Sequence, residues 1–563
     1  MYPRTLLCVL ICAAALTACT DRRAGSDLGS SAGATAARNA GRTLVIIART
    51  EGETVAGKGL ANVGIAGLPT GPFNAALVSI DPNEIVTPYL AVAVPQLNTD
   101  NWRVFPDGRM ETTYQLKPGL SWHDGRPLAA EDFVFAYRIY ANPAYGVTAT
   151  AAPMNLIEDI SAPDERSLLI RWSRPYADAA ALNEGRFQAL PSHLLADAAQ
   201  RLTPEAFAAH PFWTVDYVGL GAYRVVQWAR GLFLEGEAFD GYVFGRPKID
   251  RIRMQIIPDS NTALANMLAG EVHVIGDDDV ISFQQAVVLK RQWDADGGGS
   301  VTFIPGGARR TENQFVPAYA EPRAILDLRV RKALAHAVER GAVNDVIFDG
   351  LGVLADTLIS PTVAYFSEID RSLTKYPYDI RRSEQLMNDA GISRGPDGFY
   401  ASPAEGRLNF EIKVLSNERN EAAMHIMADS WRRAGFEMTE TVFPSTMLTD
   451  REARAKFRSM FSTDGGSLPT LGTVGAPNAE NRWTGSNRGS WSHAEYDRLA
   501  SAYESTLDRS ERTRLLAQMA RIYSEELPST PIWYQVTPVA HFRSVTGPRD
   551  DSAAEIHLWR WVD

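Results

Sequence analysis

Cysteine is nearly absent from this chain of 563 residues. The three cysteines, Cys8, Cys12 and Cys19, all lie near the N-terminus. The rest of the chain therefore has no thiol from which a disulfide framework or a cysteine-ligated metal site could be built. No stretch after the N-terminal segment is long and apolar enough to predict a membrane-spanning helix.

The chain has fewer basic than acidic residues: 56 lysines and arginines against 67 aspartates and glutamates, which gives a net charge of −11. Nucleic-acid-binding proteins normally carry a basic excess, so nucleic acid is not expected as a partner. The sequence also lacks a G-x-S-x-G elbow, a P-loop and an H-E-x-x-H motif. Residues 350–355 match a dinucleotide pattern, but they follow a predicted helix instead of a strand. We predict no catalytic residue and no cofactor.

Residues 1–18 have the features of a signal peptide. Arg4 precedes an apolar run over 6–16 that is too short for a permanent membrane span. The end of this segment, Leu16-Thr17-Ala18-Cys19, resembles a bacterial lipobox, in which the cysteine is diacylated and becomes the first mature residue. We therefore expect Cys19 to anchor an extracytoplasmic lipoprotein to a bilayer. An ordinary signal peptide with an incidental Cys19 is the alternative.

Residues 19–42 are rich in alanine, glycine and serine and predict a flexible tether. The remaining chain is long and hydrophobic enough for two or three lobes with their own cores. Strand-like runs alternate with helical patterns, which indicates an α/β class. Residues 44–48 and 110–116 are predicted strands, and 131–140 is a predicted helix.

Two further helices are predicted over 327–340 and 383–390, the second ending at Gly391. In the first, Val330 and Leu334 are expected in the core and Arg331 towards water. The glycine- and proline-rich stretch 464–478 is predicted to be a long loop, and long loops often carry function.

Four separated segments together resemble family 5 of the bacterial solute-binding proteins, which bind oligopeptides, dipeptides or nickel for ABC importers. The segments occur in the family's order and include Leu116-Lys117-Pro118-Gly119-Leu120-Ser121-Trp122-His123-Asp124-Gly125-Arg126-Pro127, Gly219-Leu220-Gly221-Ala222-Tyr223-Arg224, Leu328-Arg329-Val330-Arg331-Lys332-Ala333-Leu334 and Pro531-Ile532-Trp533-Tyr534.

The resemblance implies a bilobal clamp like that of periplasmic binding proteins (type II, large cluster with an extra domain), which closes on its ligand by hinge motion. Lobe I would comprise 43–75, 215–303 and 532–563, the extra domain 76–214, and lobe II 304–531. The resemblance also implies that the protein delivers a short peptide to a membrane permease. A monomer is the default expectation for its oligomeric state.

The same resemblance implies where the ligand contacts lie. Peptide-binding members carry a W-x-x-D loop whose aspartate pairs with the peptide α-ammonium, and Phe461-Ser462-Thr463-Asp464 matches it with Phe in place of Trp. Asp464 capping the Gly465-Gly466 turn is the structural alternative. Further candidate contacts are Arg482, Trp483, Trp213 and Asn74.

Other interpretations of the sequence remain open. His273 with Asp277, Asp278 and Asp279 groups metal-ligand types, but an exposed acidic turn explains the same residues, and no metal site is predicted. The same fold could hold a non-peptide solute such as a glycan or a metal chelate, or serve a receptor that does not transport. For His123-Asp124-Gly125, a structural turn is expected.

Overall fold

The largest element of the fold is a mixed sheet of ten strands. The structure, a computed structural model, describes residues 42–60, 69–81, 83–146, 149, 151–275, 280–444, 447, 450–548 and 555–562. In order across the sheet the strands are Glu437–Phe443, Asn409–Leu415, Met460–Thr463, Gly299–Asn313, Ser529–Phe542, Val274–Ile275, Thr43–Ala48, Arg251–Ile256, Phe233–Ala238 and Tyr223–Ala229.

Two long antiparallel strands, Gly299–Asn313 and Ser529–Phe542, join the two halves of this sheet. Ser529–Phe542 reaches the first half, where His541 pairs with Val274. Gly299–Asn313 reaches the second half, where Arg310 pairs with Thr463. The pair is interrupted by a register shift between Pro305 and Ala308, around Gly306 and Gly307. A β-bulge of this kind bends a strand locally, and we expect the hinge between the two halves to lie at this crossing point.

The hydrophobic residues form separate cores on the two sides of the crossing. One core draws its residues from positions 44–274 and 545–561, and another from positions 283–536. A smaller core lies under the first half of the sheet and includes Ile47, Met267 and Trp293. Each half thus buries its own apolar surface, and the fold is the bilobal α/β architecture that the sequence predicts.

The described residues also form smaller sheets outside the ten-stranded sheet. A four-stranded sheet has the order Trp102–Val104, Met110–Gln115, Ser167–Trp172 and Ile157–Asp164. A three-stranded sheet consists of Ser393–Arg394, Tyr400–Ser402 and Gly406–Arg407, and two ribbons pair Val78–Ile80 with Val86–Pro88 and Val545–Thr546 with Arg560–Trp561.

Thirteen α-helices occur among the described residues. In chain order the α-helices are Ala130–Tyr140, Ser192–Arg201, Pro204–Ala208, Ser260–Ala269, Phe283–Asp296, Leu328–Ala337, Arg340–Phe348, Phe366–Ser372, Ile380–Asp389, Glu418–Arg433, Arg451–Ala455, Ala494–Ser505 and Arg509–Glu526. The helix predicted over 383–390 is present, but it begins earlier, at Ile380. Gly391 follows it with a left-handed φ of 75° that glycine adopts readily.

The helix predicted over 327–340 is wrong in one respect, because it is two helices with a break at Val338 and Glu339. Ser430, on the helix Glu418–Arg433, occupies the break. Its hydroxyl donates to the Ala337 carbonyl at 2.8 Å and accepts from the Glu339 amide at 2.9 Å. A side chain from a distant helix therefore satisfies the backbone groups that a continuous helix would pair internally.

Arg331 also differs from expectation, since it is buried and does not face water. Its guanidinium donates to the carbonyl oxygens of Glu526, Leu326 and Ile325 at 2.8–3.2 Å. Val330 and Leu334 lie in the core as predicted.

Candidate ligand-binding cleft

A cleft of about 2210 Å³ lies between the two halves of the sheet. Residues 49–54 and 56–60 line one side, and residues 415–421, 482–486 and 488 line the other. The first group follows the strand Thr43–Ala48, and residues 415–421 begin at the end of the strand Asn409–Leu415. Each of these strands pairs in parallel with a neighbour. In open α/β sheets the carboxyl ends of parallel strands are the usual ligand sites.

Asp464 lies on the cleft wall directly after the strand Met460–Thr463. Its Oδ2 accepts a hydrogen bond from Arg309 Nη1 at 3.1 Å and a longer one from Gln535 Nε2 at 3.4 Å. The Asp464 side chain is 52% exposed, whereas that of Arg309 is 3% exposed. Burial acts to raise the pKa of Asp464, but the charges of Arg309, Arg488 and Arg310 outweigh it and hold that pKa below its usual value.

Ser462, on the neighbouring strand, fixes the guanidinium of Arg309. Its Nε donates to Ser462 Oγ at 3.2 Å and its Nη2 donates to the Ser462 carbonyl at 3.1 Å. Two arms of the guanidinium are thus fixed to the neighbouring strand, and the third points at Asp464. Asp464 therefore sits in the cleft as part of an ion pair.

The backbone after Asp464 requires its two glycines. Gly465 and Gly466 have φ values of 76° and 77°, which side-chain-bearing residues rarely adopt. A Cβ on Gly466 would also stand 3.0 Å from the Cβ of Ser486. This backbone path brings the Asp464 loop against the loop 482–488.

A second group of arginines extends this wall. Arg488 Nη1 donates to Thr463 Oγ1 at 3.1 Å and lies 3.7 Å from the Glu312 carboxylate. Arg310 forms an ion pair with Glu312 as well and donates to the Ser486 carbonyl at 3.2 Å. Arg454 also lines the cleft. Burial, followed by the charge of Arg488, lowers the pKa of Arg454 to about 10.

The predicted contacts fall into two sets. Trp213, Arg482 and Trp483 line the cleft together with Asp464. Trp213 is almost fully buried and its indole donates to the Phe207 carbonyl at 2.9 Å, so little of its surface is open to the cleft. The ring centre of Trp483 lies 5.0 Å from Lys456 Nζ.

The prediction that Phe461 and Asn74 contact the ligand is wrong, because both residues are fully buried and neither lines the cleft. Every residue of the strand Met460–Thr463 is buried, and Phe461 packs at 5.7 Å from the ring of Phe457. Asn74 donates to the Val55 carbonyl at 2.8 Å and accepts from the Gly57 amide at 3.1 Å. Asn74 therefore holds the cleft loop from behind and does not reach a solute.

Arg309, Gln535, Arg454 and Arg488 were missed in the sequence. Adjacent arginines at 309 and 310 within a strand-like run were the available signal, because buried arginines need partners. The partner of Arg309, however, lies 155 positions away along the chain.

Comparison with known proteins identifies the family. The sequence profile of the bacterial extracellular solute-binding proteins, family 5 (Middle), matches residues 92–477. The chain belongs to this family. The Escherichia coli (strain K12) dipeptide-binding protein is 24% identical over 455 residues, which cover 76% of this chain and 79% of that protein. Family 5 proteins bind solutes for ABC importers without transforming them, so this chain is a binding protein and not an enzyme.

Solved structures agree with the fold. The oligopeptide-binding protein from Thermus thermophilus complexed with a pentapeptide has a TM-score of 0.75 at 22% identity, over 92% of this chain and 96% of that one. NikZ from Campylobacter jejuni in complex with Ni(L-His) has a TM-score of 0.76 at 18% identity, over 92% of this chain and 99% of that one. At such identities the likeness establishes the shared architecture.

In this family 5 protein the segment around His123 is structural. His123 Nδ1 accepts from the Gly219 amide at 3.1 Å, and its Nε2 is 3.0 Å from the Gly221 carbonyl. Burial lowers the pKa of His123 to about 4. Asp132, in the first turn of the next helix, accepts from Trp122 Nε1 at 3.1 Å. These contacts tie the segment to the core, and both ring nitrogens of His123 are engaged with the backbone.

Some predictions concern residues that the structure does not describe. Cys19 and the segments 1–18 and 19–41 lie outside the described residues, and so do Asp277, Asp278 and Asp279. His273 is described, and its Nδ1 accepts from the Val45 amide at 3.0 Å. Among the described residues, no group of three His, Cys, Asp or Glu side chains is arranged to hold a metal ion. The helices within the same residues are all too short or too polar to cross a bilayer.

Proposed function

We propose that this protein captures short peptides in the cleft between its lobes and delivers them to the permease of an ABC importer. The observation that carries the proposal is the size of the cleft, about 2210 Å³. Pockets for single drug-sized ligands measure roughly 300–1,000 Å³, so this cleft has room for an extended chain. A relative named for dipeptide binding and a neighbour solved with a pentapeptide support it.

Asp464 is the proposed contact for the peptide α-ammonium, with Arg482, Trp483 and Trp213 beside it on the wall. Half of the Asp464 side chain is exposed to the cleft, and the carboxylate stays ionised because its pKa is depressed. An ammonium group would share the carboxylate with Arg309, which already binds Oδ2.

The decisive experiment is a thermal-shift screen of the purified protein against pools of di- to pentapeptides, with sugars and nickel salts as the alternative classes. Peptide pools should raise the melting temperature in a saturable way, since a ligand that binds only the folded state stabilises it. Hits are then measured by titration calorimetry. Stabilisation by a sugar or a nickel chelate, with no response to any peptide pool, would reject the peptide proposal.

A metal chelate is the second candidate for the bound solute. The ion pair between Asp464 and Arg309 favours it. A carboxylate that is already neutralised attracts an ammonium less strongly than an isolated one does. NikZ, which shares the fold, was solved with Ni(L-His). Because the described residues contain no cluster of metal ligands, such a metal would enter with its own chelator.

The proposal also includes the division of the chain into lobes and its attachment to a bilayer. Lobe I would comprise 43–75, 215–303 and 532–563, lobe II 304–531, and the extra domain 76–214. A monomer tethered by residues 19–42 would be held at the bilayer through acylated Cys19. Mass spectrometry of the mature N-terminus and detergent partitioning test this directly, with Cys19→Ala as the non-acylated control.

A further inference from the structure

The proposed extra domain and lobe II meet at a second place, outside the cleft. In each of three polar pairs, one side chain comes from the extra domain and the other from lobe II. The pairs, together called the rear contact, are Arg512–Asp178, Arg174–Glu504 and Tyr365–Glu84, with distances between the bonded atoms of 2.9, 2.9 and 2.8 Å. None of these six residues lines the cleft.

The rear contact lies on the side of the two long joining strands that faces away from the cleft. On the strand Ser529–Phe542, Gln535 lines the cleft, whereas the ring of Tyr534 lies 6.5 Å from the ring of Phe366. Because successive residues of a strand point to opposite faces, Phe366 lies on the face opposite the cleft. Tyr365, next to it in the chain, carries the hydroxyl that binds the extra domain.

The members of the rear contact surround one aromatic ring. Burial raises the pKa of Tyr503, and the carboxylates of Asp178 and Glu84 raise it further, so both carboxylates lie near this ring. The guanidinium of Arg512 lies 4.3 Å from the centre of the same ring. Leu507, which follows in the chain, packs against the core of the first half. The contact thus combines apolar packing with ion pairs that are partly shielded from water.

We propose that the rear contact holds the cleft open in the solute-free protein and separates when lobe II closes over a solute. When two lobes rotate about a hinge between them, the surfaces on one side of the hinge approach and those on the opposite side move apart. The cleft and the rear contact lie on opposite faces of the joining strands, so closing the cleft pulls the rear contact apart. This inference deepens the proposed function, since it rests on capture of a solute by hinge closure.

The rear contact therefore sets the affinity without touching the solute. A solute that needs the closed state binds with its intrinsic dissociation constant divided by the closed fraction. Loss of one partly exposed ion pair should increase that fraction, and the apparent affinity, by about two- to fivefold.

Distances between the cleft walls in the solute-free protein test the proposal. Spin labels are placed on Glu53→Cys and Glu418→Cys, exposed on the two walls, in a chain whose three native cysteines are replaced by serine. Double electron–electron resonance on this parent should give mainly a long distance. Glu504→Arg, which sets like charges against Arg174, should add a shorter-distance population. Combining it with Arg174→Glu restores opposite charges and should restore the parent distribution.

Two tyrosine variants provide a matched comparison. Tyr365→Phe removes only the hydroxyl that reaches Glu84 and should also add the shorter distance. Tyr145→Phe is the control, because its hydroxyl bonds to the Ala199 carbonyl at 3.2 Å within the proposed extra domain, and it should leave the distribution unchanged. Circular dichroism verifies that each variant is folded, and Tyr365→Phe provides the test should Glu504→Arg prevent folding.

The outcomes separate the rear contact from the peptide proposal, because the distance measurement needs no solute. Unchanged distances in Glu504→Arg and Tyr365→Phe, or longer ones, overturn the inference. A shift that the charge swap fails to reverse also overturns it. Titration calorimetry with trialanine should show about two- to fivefold tighter binding to Glu504→Arg than to the parent. Equal affinities despite shifted distances overturn the link to capture. Shifted distances with no trialanine binding support the rear contact and count against peptide capture.

Discussion

Arg309 Nη1 and Asp464 Oδ2 are 3.1 Å apart, and this pair joins the long strand Gly299–Asn313 to the loop that follows Met460–Thr463. The arginine is buried and the aspartate is half exposed to the cleft. A cleft carboxylate is therefore held ionised and oriented by a cation that the solvent hardly reaches. Any solute that uses Asp464 must do so in the presence of Arg309.

Replacing Arg309 with glutamine should destabilise the protein by about 1–3 kcal/mol, because buried hydrogen bonds to Ser462 are lost along with the ion pair. The pKa of Asp464 should rise towards its usual value. A depressed carboxyl pKa contributes stability above the unfolded-state pKa, and that contribution disappears as pH falls through the folded-state pKa. Urea unfolding at pH 7 and at about pH 3–4 should show a smaller acid-dependent loss in the variant than in the wild type.

Asp464→Asn should weaken binding of peptides with a free N-terminus by about tenfold or more, since a charge-assisted contact with the ammonium is removed. N-acetylated peptides should bind poorly to the wild type and about equally to both proteins. Titration calorimetry on matched free and acetylated peptides measures this. Equal affinity of the wild type for both forms would remove Asp464 from ammonium binding.

His123 should make the protein less stable in mild acid. Its pKa is lowered from 6.5 to about 4 by burial, so between these values the unfolded chain binds a proton that the folded protein does not. Stability from this residue therefore falls as pH drops from 7 to 5, by about 2 kcal/mol. Urea titrations at both pH values should show a smaller difference for His123→Gln than for the wild type. An unchanged difference would contradict the assignment.

Gly307→Ala should be tolerated and should affect the hinge. No atom lies within 4 Å of a Cβ at this position, and its φ is not left-handed. Alanine should raise stability by up to about 1 kcal/mol and restrict the strand at the bulge. Stopped-flow fluorescence should then show slower closure on a bound solute.

The contrasting control is Gly489→Ala, whose Cβ would stand 2.0 Å from the Asn313 carbonyl. That variant should lose stability in thermal unfolding. Unchanged closure rates in Gly307→Ala would place the hinge elsewhere along the two long strands.

Local patterns in the sequence predicted much of the fold. Gly391 ends the helix Ile380–Asp389 with a left-handed φ, and alternation predicted the strand Met110–Gln115. These features depend on neighbours within a few positions, so propensity and periodicity are enough. The break at Val338 could not be predicted in this way, because Ser430 fills it from 91 positions away along the chain.

Short segments of the sequence, taken in their order along the chain, were enough to predict the family and the alternation of strands and helices. The three-dimensional packing was needed to show that Phe461 and Asn74 face the core, that Arg309 neutralises Asp464, and that Arg454 and Arg488 share one wall. Those outcomes depend on which strands pair and which loops meet at their carboxyl ends. Strand pairing is set by contacts between residues far apart in the chain, which no local window of the sequence contains.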